Sequence, residues 1–291
     1  MDASKAIATS ATNEGDLWDY AYGKTGKAMP IKNTPLPIVA VTTTAGTGSE
    51  VDQWGVITNP DTNEKIGFGG IDELYPKLAI VDPELMRTVP ARLTAYQGFD
   101  ALFHSTECYI AETSNLMSDM YALEAIRNVS KYLPRAVADG DDMEAREHVA
   151  FANTLSGVVM TISSCTSEHS LEHAMSAYHQ NLTHGAGLIM ISKAYYQHFV
   201  DAHACDEKFI AMAKAMGKEE AQEPQDFITA LCDLQKACGV DNLSMADAGI
   251  EKDELDSIAK NARETMGGLF EADPVPLSHK DCVDILKNSY K

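Results

Sequence analysis

The 291-residue chain has six cysteines (Cys108, Cys165, Cys205, Cys232, Cys238 and Cys282) and no CxxC pair among them. Scattered thiols argue against a disulfide frame and suit a reducing compartment. Positive charge is scarce: 23 Lys and Arg face 43 Asp and Glu, for a formal net charge of −20. A phosphate backbone or an anionic membrane would be repelled, so neither nucleic acid nor membrane is an expected partner. The opening "MDASKAIATSATNEGD" lacks a basic flank leading into an apolar stretch, and no apolar run approaches the length of a membrane span. The expectation is a cytoplasmic protein. There is no internal repeat, no low-complexity tract, no GxGxxG and no Walker A motif. What remains is an ordinary globular composition, 45% hydrophobic and 23% charged, long enough for two domains.

The two ends of the chain differ in texture. "PIVAV" (Pro37 to Val41), "WGVIT" (Trp54 to Thr58) and "KLAIV" (Lys77 to Val81) read as short strands bounded by turn residues. Continuous apolar runs of this kind predict strands buried on both faces of an α/β layer. After Pro90 the period becomes helical: Leu116, Met120, Leu123 and Ile126 behind a cap-like "TSN"; Phe227, Leu231, Leu234 and Cys238 before Gly239; Leu255, Ile258, Ala259, Ala262 and Met266 before Gly267-Gly268. Each stripe predicts core packing. "DGDDMEARE" reads as a solvated helix start. A boundary is placed near residue 88, dividing an α/β part (1–88) from an all-helical part (89–291).

Histidine is the residue whose distribution is uneven. Four of the nine, His169, His173, His179 and His184, fall within "HSLEHAMSAYHQNLTH". His169 and His173 at i, i+4 share one face of a helix, and a turn before Gly185 can swing His184 toward it. "QGFDALFHSTE" places Asp100 and His104 at the same spacing. Imidazoles with a carboxylate suit Zn²⁺ or Fe²⁺ without cysteine. An isolated i, i+4 pair also arises as a surface or capping accident, and spacing leaves the two readings open. His179 lies outside the pattern, and His148, His198, His203 and His279 read as surface residues.

"VTTTAGTGSEV" (Val41 to Val51) directly follows the first strand. Small hydroxyl residues and glycines there let N–H groups approach a phosphate or ribose, or simply make a tight surface turn. Lys65 in "NEKIGF", read as a loop residue, is either a cation for cofactor phosphates or solvated.

Taken together, "TTAGTGSE", "LAIVDPEL", "QGFDALFHSTE", "EHSLEHAMSAYH" with the following "HGAG", and "NARETMGGLFEADPVPLS" resemble the iron-containing (group III) alcohol dehydrogenase family, in its order and over essentially the whole chain. The butanol dehydrogenase-like branch is the most similar. The resemblance implies a Rossmann-like dinucleotide-binding part, a helical metal-binding part, and NAD or NADP as cofactor. It implies one ion, normally Fe²⁺ with Zn²⁺ as alternative, held by Asp100, His104, His169 and His184, with His173 facing the nicotinamide and substrate. Thr43, Thr44, Ala45 and Gly46, with Thr47 and Ser49, match the cofactor loop; Lys65 matches a cofactor-contacting lysine, one residue out of step. Activity on a small primary alcohol or aldehyde and a homo-oligomer, often a dimer, follow from the same resemblance.

One departure stands out. The family's GGGS phosphate loop precedes a segment like "MDASKAIA", of which Asp2 and Lys5 match the tail, but the glycines and the elements before them have no counterpart in this sequence. The expectation is a fragment or a product begun at an internal Met, a truncated cofactor domain, an exposed sheet edge, and metal binding carried by the helical part alone. A catalytically impaired metal-binding fragment is therefore an alternative, as is a Zn²⁺-dependent relative of the glycerol dehydrogenase or dehydroquinate synthase type.

Overall fold

A computed structural model describes residues 1–291. Strands occur only before residue 82. α1 (Asp2–Ser10) leads by a long connection to β1 (Val39–Thr42), β2 (Trp54–Asn59), β3 (Glu64–Gly69) and β4 (Leu78–Val81). β1 and β4 pair in parallel from Val39↔Leu78 to Thr42↔Val81, whereas β2 and β3 form an antiparallel hairpin from Trp54↔Gly69 to Asn59↔Glu64. These are two separate two-stranded sheets.

Two sequence expectations change here. The strands are not buried on both faces: Val39, Val41, Leu78 and Ile80 are 61, 48, 53 and 42% exposed, while Ala40 and Thr42 face inward. A two-stranded layer covered on one side can bury only alternate residues. Lys65 is not in a loop but on β3, a strand the sequence reading missed because "EKIGFG" carries charge and glycine instead of an apolar run. Gly55 on β2 is required opposite it, since a Cβ there would stand 2.5 Å from the buried Phe68 ring.

From residue 91 the chain is helical: α2 (Ala91–Ile110), α3 (Leu116–Ala138), α4 (Met143–Ile162), α5 (Ser167–Tyr178), α6 (His184–Asp201), α7 (Asp206–Ala215), α8 (Gln225–Ala237), α9 (Leu255–Thr265) and α10 (His279–Ser289). No single helix is long and apolar enough to cross a membrane. The stripes of α8 and α9 are buried as expected, and Gly239 ends the turn after α8 at φ 68°. The stripe of α3 is not core throughout. Leu116 and Met120 are exposed, because Asn115 caps the helix at the protein's edge and the buried face is Ser118, Ala122, Ala125, Ile126, Val129 and Leu133. Asp142 caps α4 as the acidic run predicted, although Arg146 in that run is buried against Thr94, Val89 and Gly140. His148 is half-buried, stacked on Tyr132 and bonded to Asn128, so it is not a plain surface residue.

One apolar core joins all nine of these helices; from residues 1–85 only Ala45 enters it. The first part has just a small cluster of its own, Ala8, Ile38 and Leu74. Its position is therefore set by contacts with the helices. One of the tightest is at Gly48 (φ 61°), whose backbone lies against Gly157 of α4 so closely that a Cβ on either would meet the other's backbone within 2.5 Å. Gly48 N–H donates to Asn153 Oδ1 (2.8 Å), and Asn153 and Thr154 donate to Glu50 Oε1.

α2 is buried on all sides from Thr94 to Ile110 except at Gln97. Its polar side chains must therefore find partners inside the protein. Thr106 bonds Tyr196 Oη (2.6 Å), Ser105 bonds a carbonyl one turn back, and Glu107 accepts from Thr166. Asp100 Oδ1 and His104 Nδ1 find none.

Candidate metal centre

Those two orphans face a third and one further imidazole. α5 presents His169 and α6 begins with His184, so three helices meet at one point. Asp100 Oδ1 stands 3.6 Å from His104 Nδ1, 3.5 Å from His169 Nε2 and 3.4 Å from His184 Nε2. His169 Nε2 is likewise buried without a hydrogen-bond partner. The close packing of α6 on α2 is what brings His184 here: a Cβ at Gly185 would lie 2.1 Å from the Tyr96 carbonyl oxygen. Gly46 does the same for the cofactor-like turn, since a Cβ there would stand 3.1 Å from Asp100 Oδ2.

Such spacing is poor for direct hydrogen bonding but fits ligands arranged around an ion. Metal–ligand bonds of about 2.1 Å put the corners of a tetrahedron roughly 3.4 Å apart. Orphaned, buried donors of this chemistry are costly without an ion among them.

Two carboxylates that sequence reasoning missed hold the far sides of the rings. Glu107 accepts from His169 Nδ1, and Glu172 from His184 Nδ1, which orients the rings as carboxylate partners do in metal sites. Burial pushes His169 down, but Glu107, with Cys165 and Asp100, raises it well above the ordinary imidazole range; Glu172 similarly raises His184 against burial. Burial takes His104 down to about 3 and, with Lys65 and His184, holds His173 well below its usual value. Burial pushes the Asp100 carboxyl up, yet the imidazoles of His104, His184 and His169 hold it well below the carboxylate range.

The remaining expected site residues divide into two groups. His173 is buried beside the cluster, with Nδ1 2.8 Å from Met266 Sδ and its ring 5.2 Å from that of His184. Lys65 Nζ reaches Ser176 Oγ (3.0 Å), Glu172 Oε2 (3.3 Å) and His184 Nδ1 (3.3 Å). Thr43, Thr44 and Thr47 are exposed on the turn, with Ala45 and Gly46 buried beneath. Asp2, Lys5 and Ser49 lie apart from the centre and bond one another: Lys5 Nζ donates to Ser49 Oγ (2.8 Å), Asp52 Oδ1 (2.7 Å) and the Trp54 carbonyl (2.6 Å), and Asp2 accepts from Ser49 Oγ and Val56 N–H. His179 bonds Glu254, away from the four donors. The donors all come from the helical part, but their surroundings do not: β3 and the Gly46 turn close one side. The expectation of a purely helical site is corrected to that extent.

Residues 94–290 match the C-terminal domain of the Fe-containing alcohol dehydrogenase family, and residues 1–83 match iron-containing alcohol dehydrogenase. The chain belongs to the iron-containing alcohol dehydrogenase family. It is 33% identical to the NAD-dependent methanol dehydrogenase of Bacillus methanolicus over 99% of this chain and 74% of that one. Against the NADH-dependent butanol dehydrogenase A of Clostridium acetobutylicum it is 30% identical over 100% of this chain and 74% of the other. An alcohol dehydrogenase from an archaeal halo-thermophile of a Red Sea brine pool superimposes with a TM-score of 0.93 at 34% identity, covering 99% of this chain and 74% of that structure. The chain thus spans about three quarters of the length of these family members. The all-α C-terminal domain is common to the fold.

Behind the centre, Asp273 ties down the start of α5. Its Oδ1 accepts from Ser167 N–H (2.9 Å), Ser167 Oγ (3.0 Å) and Tyr195 Oη (3.0 Å), while Oδ2 is buried without a partner. Burial pushes its carboxyl up to about 7. That lies above the unfolded value of about 3.9, so the stability it contributes is complete at low pH and is lost as pH rises through 7. Asp273→Asn keeps the acceptor and removes the charge. Its melting temperature should fall less between pH 5.5 and 8.5 than that of the parent; parallel profiles would show that Asp273 stays ionised throughout.

Proposed function

We propose that this protein is a metal-dependent, NAD(P)-dependent dehydrogenase interconverting a small primary alcohol and its aldehyde. The observation that carries the reading is the gathering of His104 Nδ1, His169 Nε2 and His184 Nε2 within 3.4 to 3.6 Å of Asp100 Oδ1, three of these four atoms being buried with no hydrogen-bond partner. In this reading the four residues hold one Fe²⁺, with Zn²⁺ the alternative occupant. An ion there supplies Lewis acidity toward the substrate oxygen, and the dinucleotide supplies the hydride acceptor.

The chain's own residues do the rest. Glu107 and Glu172 fix the tautomers of His169 and His184, so that each offers Nε2 to the centre. His173 is kept neutral by burial and by the cation of Lys65, with Nδ1 against Met266; Nε2 is the atom free to take or return a proton. The exposed hydroxyls and backbone of Thr43, Thr44 and Thr47, over Ala45 and Gly46, take the dinucleotide. Lys65 stands between that turn and the centre. Asp2, Lys5 and Ser49 act on this surface by locking α1 to the residues that follow the turn. We read residues 1–88 as part of a Rossmann-like cofactor domain and 89–291 as the metal-binding domain of a cytoplasmic homo-oligomer.

The test is anaerobic loading with Fe²⁺, calorimetric titration with NADH and NADPH, and a screen of short primary alcohols. Metal-dependent NADH formation is the expected result, and His173→Ala should keep its metal while losing about 10²–10⁴-fold in turnover. One ion bound with no dinucleotide binding would replace this reading with that of a metal-binding protein without turnover.

A further inference from the structure

The ring of His184 looks two ways. Nε2 faces Asp100, and around Nδ1 a second donor set gathers: a Glu172 oxygen and ring nitrogens of His173 and His184 lie within 4.8 Å of one another. Glu172 is fully buried, and its Oε1 has no hydrogen-bond partner. Gly187 leaves space for that oxygen, since a Cβ there would stand 2.8 Å from it. A buried carboxylate beside two imidazoles demands a compensating positive charge.

The chain brings one from the other part of the molecule. Lys65 on β3 puts its ammonium 3.3 Å from Glu172 Oε2, 3.3 Å from His184 Nδ1 and 3.0 Å from Ser176 Oγ, with its side chain only 16% exposed. An ammonium is a compact point charge with three donors; Glu172 Oε2 and Ser176 Oγ accept from it, as they would ligate a small cation, and the His184 ring lies beside it. We propose that the Lys65 ammonium, held by Glu172 and Ser176, takes the place of a cation at the donor set of Glu172, His173 and His184 and thereby limits the centre to a single divalent ion. Because it is tethered, it pays no translational entropy to be there and outcompetes a free ion. The inference rests on reading the Asp100 centre as a metal site and adds what keeps a second ion out.

The experiment is a count of bound Co²⁺ or Zn²⁺ per chain, by equilibrium dialysis and elemental analysis of the full chain without nucleotide. The wild type and Lys65→Arg are expected to bind one ion. Lys65→Ala and Lys65→Met, the second keeping the stem that packs beside Glu172, are expected to bind two. Adding Glu172→Gln to either should return the count to one. If the two Lys65 variants stay at one ion, or the wild type already takes two, the proposal is overturned while the Asp100 centre stands. A wild type that binds none would overturn both.

Discussion

Asp100→Asn is expected to lower affinity for a divalent ion by more than a hundredfold, because loss of a mere outer partner of a ligand already costs roughly 10–100-fold. Its Oδ1 is the atom common to all three imidazole contacts, at 3.6, 3.5 and 3.4 Å. The amide keeps the shape of the carboxylate and loses its charge, leaving three neutral rings to hold a doubly charged ion. Two readouts are independent of turnover. Metal per chain should drop to background under dialysis, and the thermal shift on adding metal should vanish. In the parent that shift corresponds to about 4 kcal/mol at a thousandfold excess over Kd. Unchanged metal content in the variant would remove Asp100 from the ligand set.

Lys5→Met should destabilise the fold by about 3–5 kcal/mol, the usual cost of leaving one partner of a buried pair uncompensated. Lys5 is completely buried, and its three N–H donors are all engaged by Ser49, Asp52 and the Trp54 carbonyl. Burial pushes the Asp52 carboxyl up to about 6, with Lys5 pulling the other way. Without Lys5 that carboxylate has no counter-charge, so the deficit should be largest above pH 6 and shrink in acid, where Asp52 takes a proton. Urea unfolding at pH 5 and pH 8 measures both the size and the sign. A loss below about 1 kcal/mol at pH 8 would mean that the ammonium is free to serve a ligand instead.

How much of this was legible in the chain depends on whether the signal was periodic. The faces of α8 and α9 could be read because a buried helical face repeats every three to four residues. The same rule misplaced Leu116 and Met120, since periodicity does not say where the protein ends. β3 escaped notice because its residues serve other elements: Lys65 reaches the centre, and the buried Ile66 and Phe68 alternate with Lys65 and Gly67 instead of forming an apolar run.

The donor residues of the centre were named from spacing and resemblance. The helical period puts Asp100 with His104 on one face and His169 with His173 on another, and that much follows from 3.6 residues per turn. The partners did not follow. "HSTE" and "HSLE" repeat the same i, i+3 step at His104–Glu107 and His169–Glu172, yet neither glutamate serves the histidine of its own repeat. Glu107 on α2 holds His169 on α5, and Glu172 on α5 holds His184 on α6. Which ring nitrogen faces the centre, which carboxylate stands behind it, and why Lys65 lies beside Glu172 are consequences of how closely three helices and a hairpin approach. Glycines at 46, 185 and 187 permit that approach, and the contacts it makes join residues up to 119 positions apart in the chain. Local spacing carries no information about partners at that separation, because only packing brings them together.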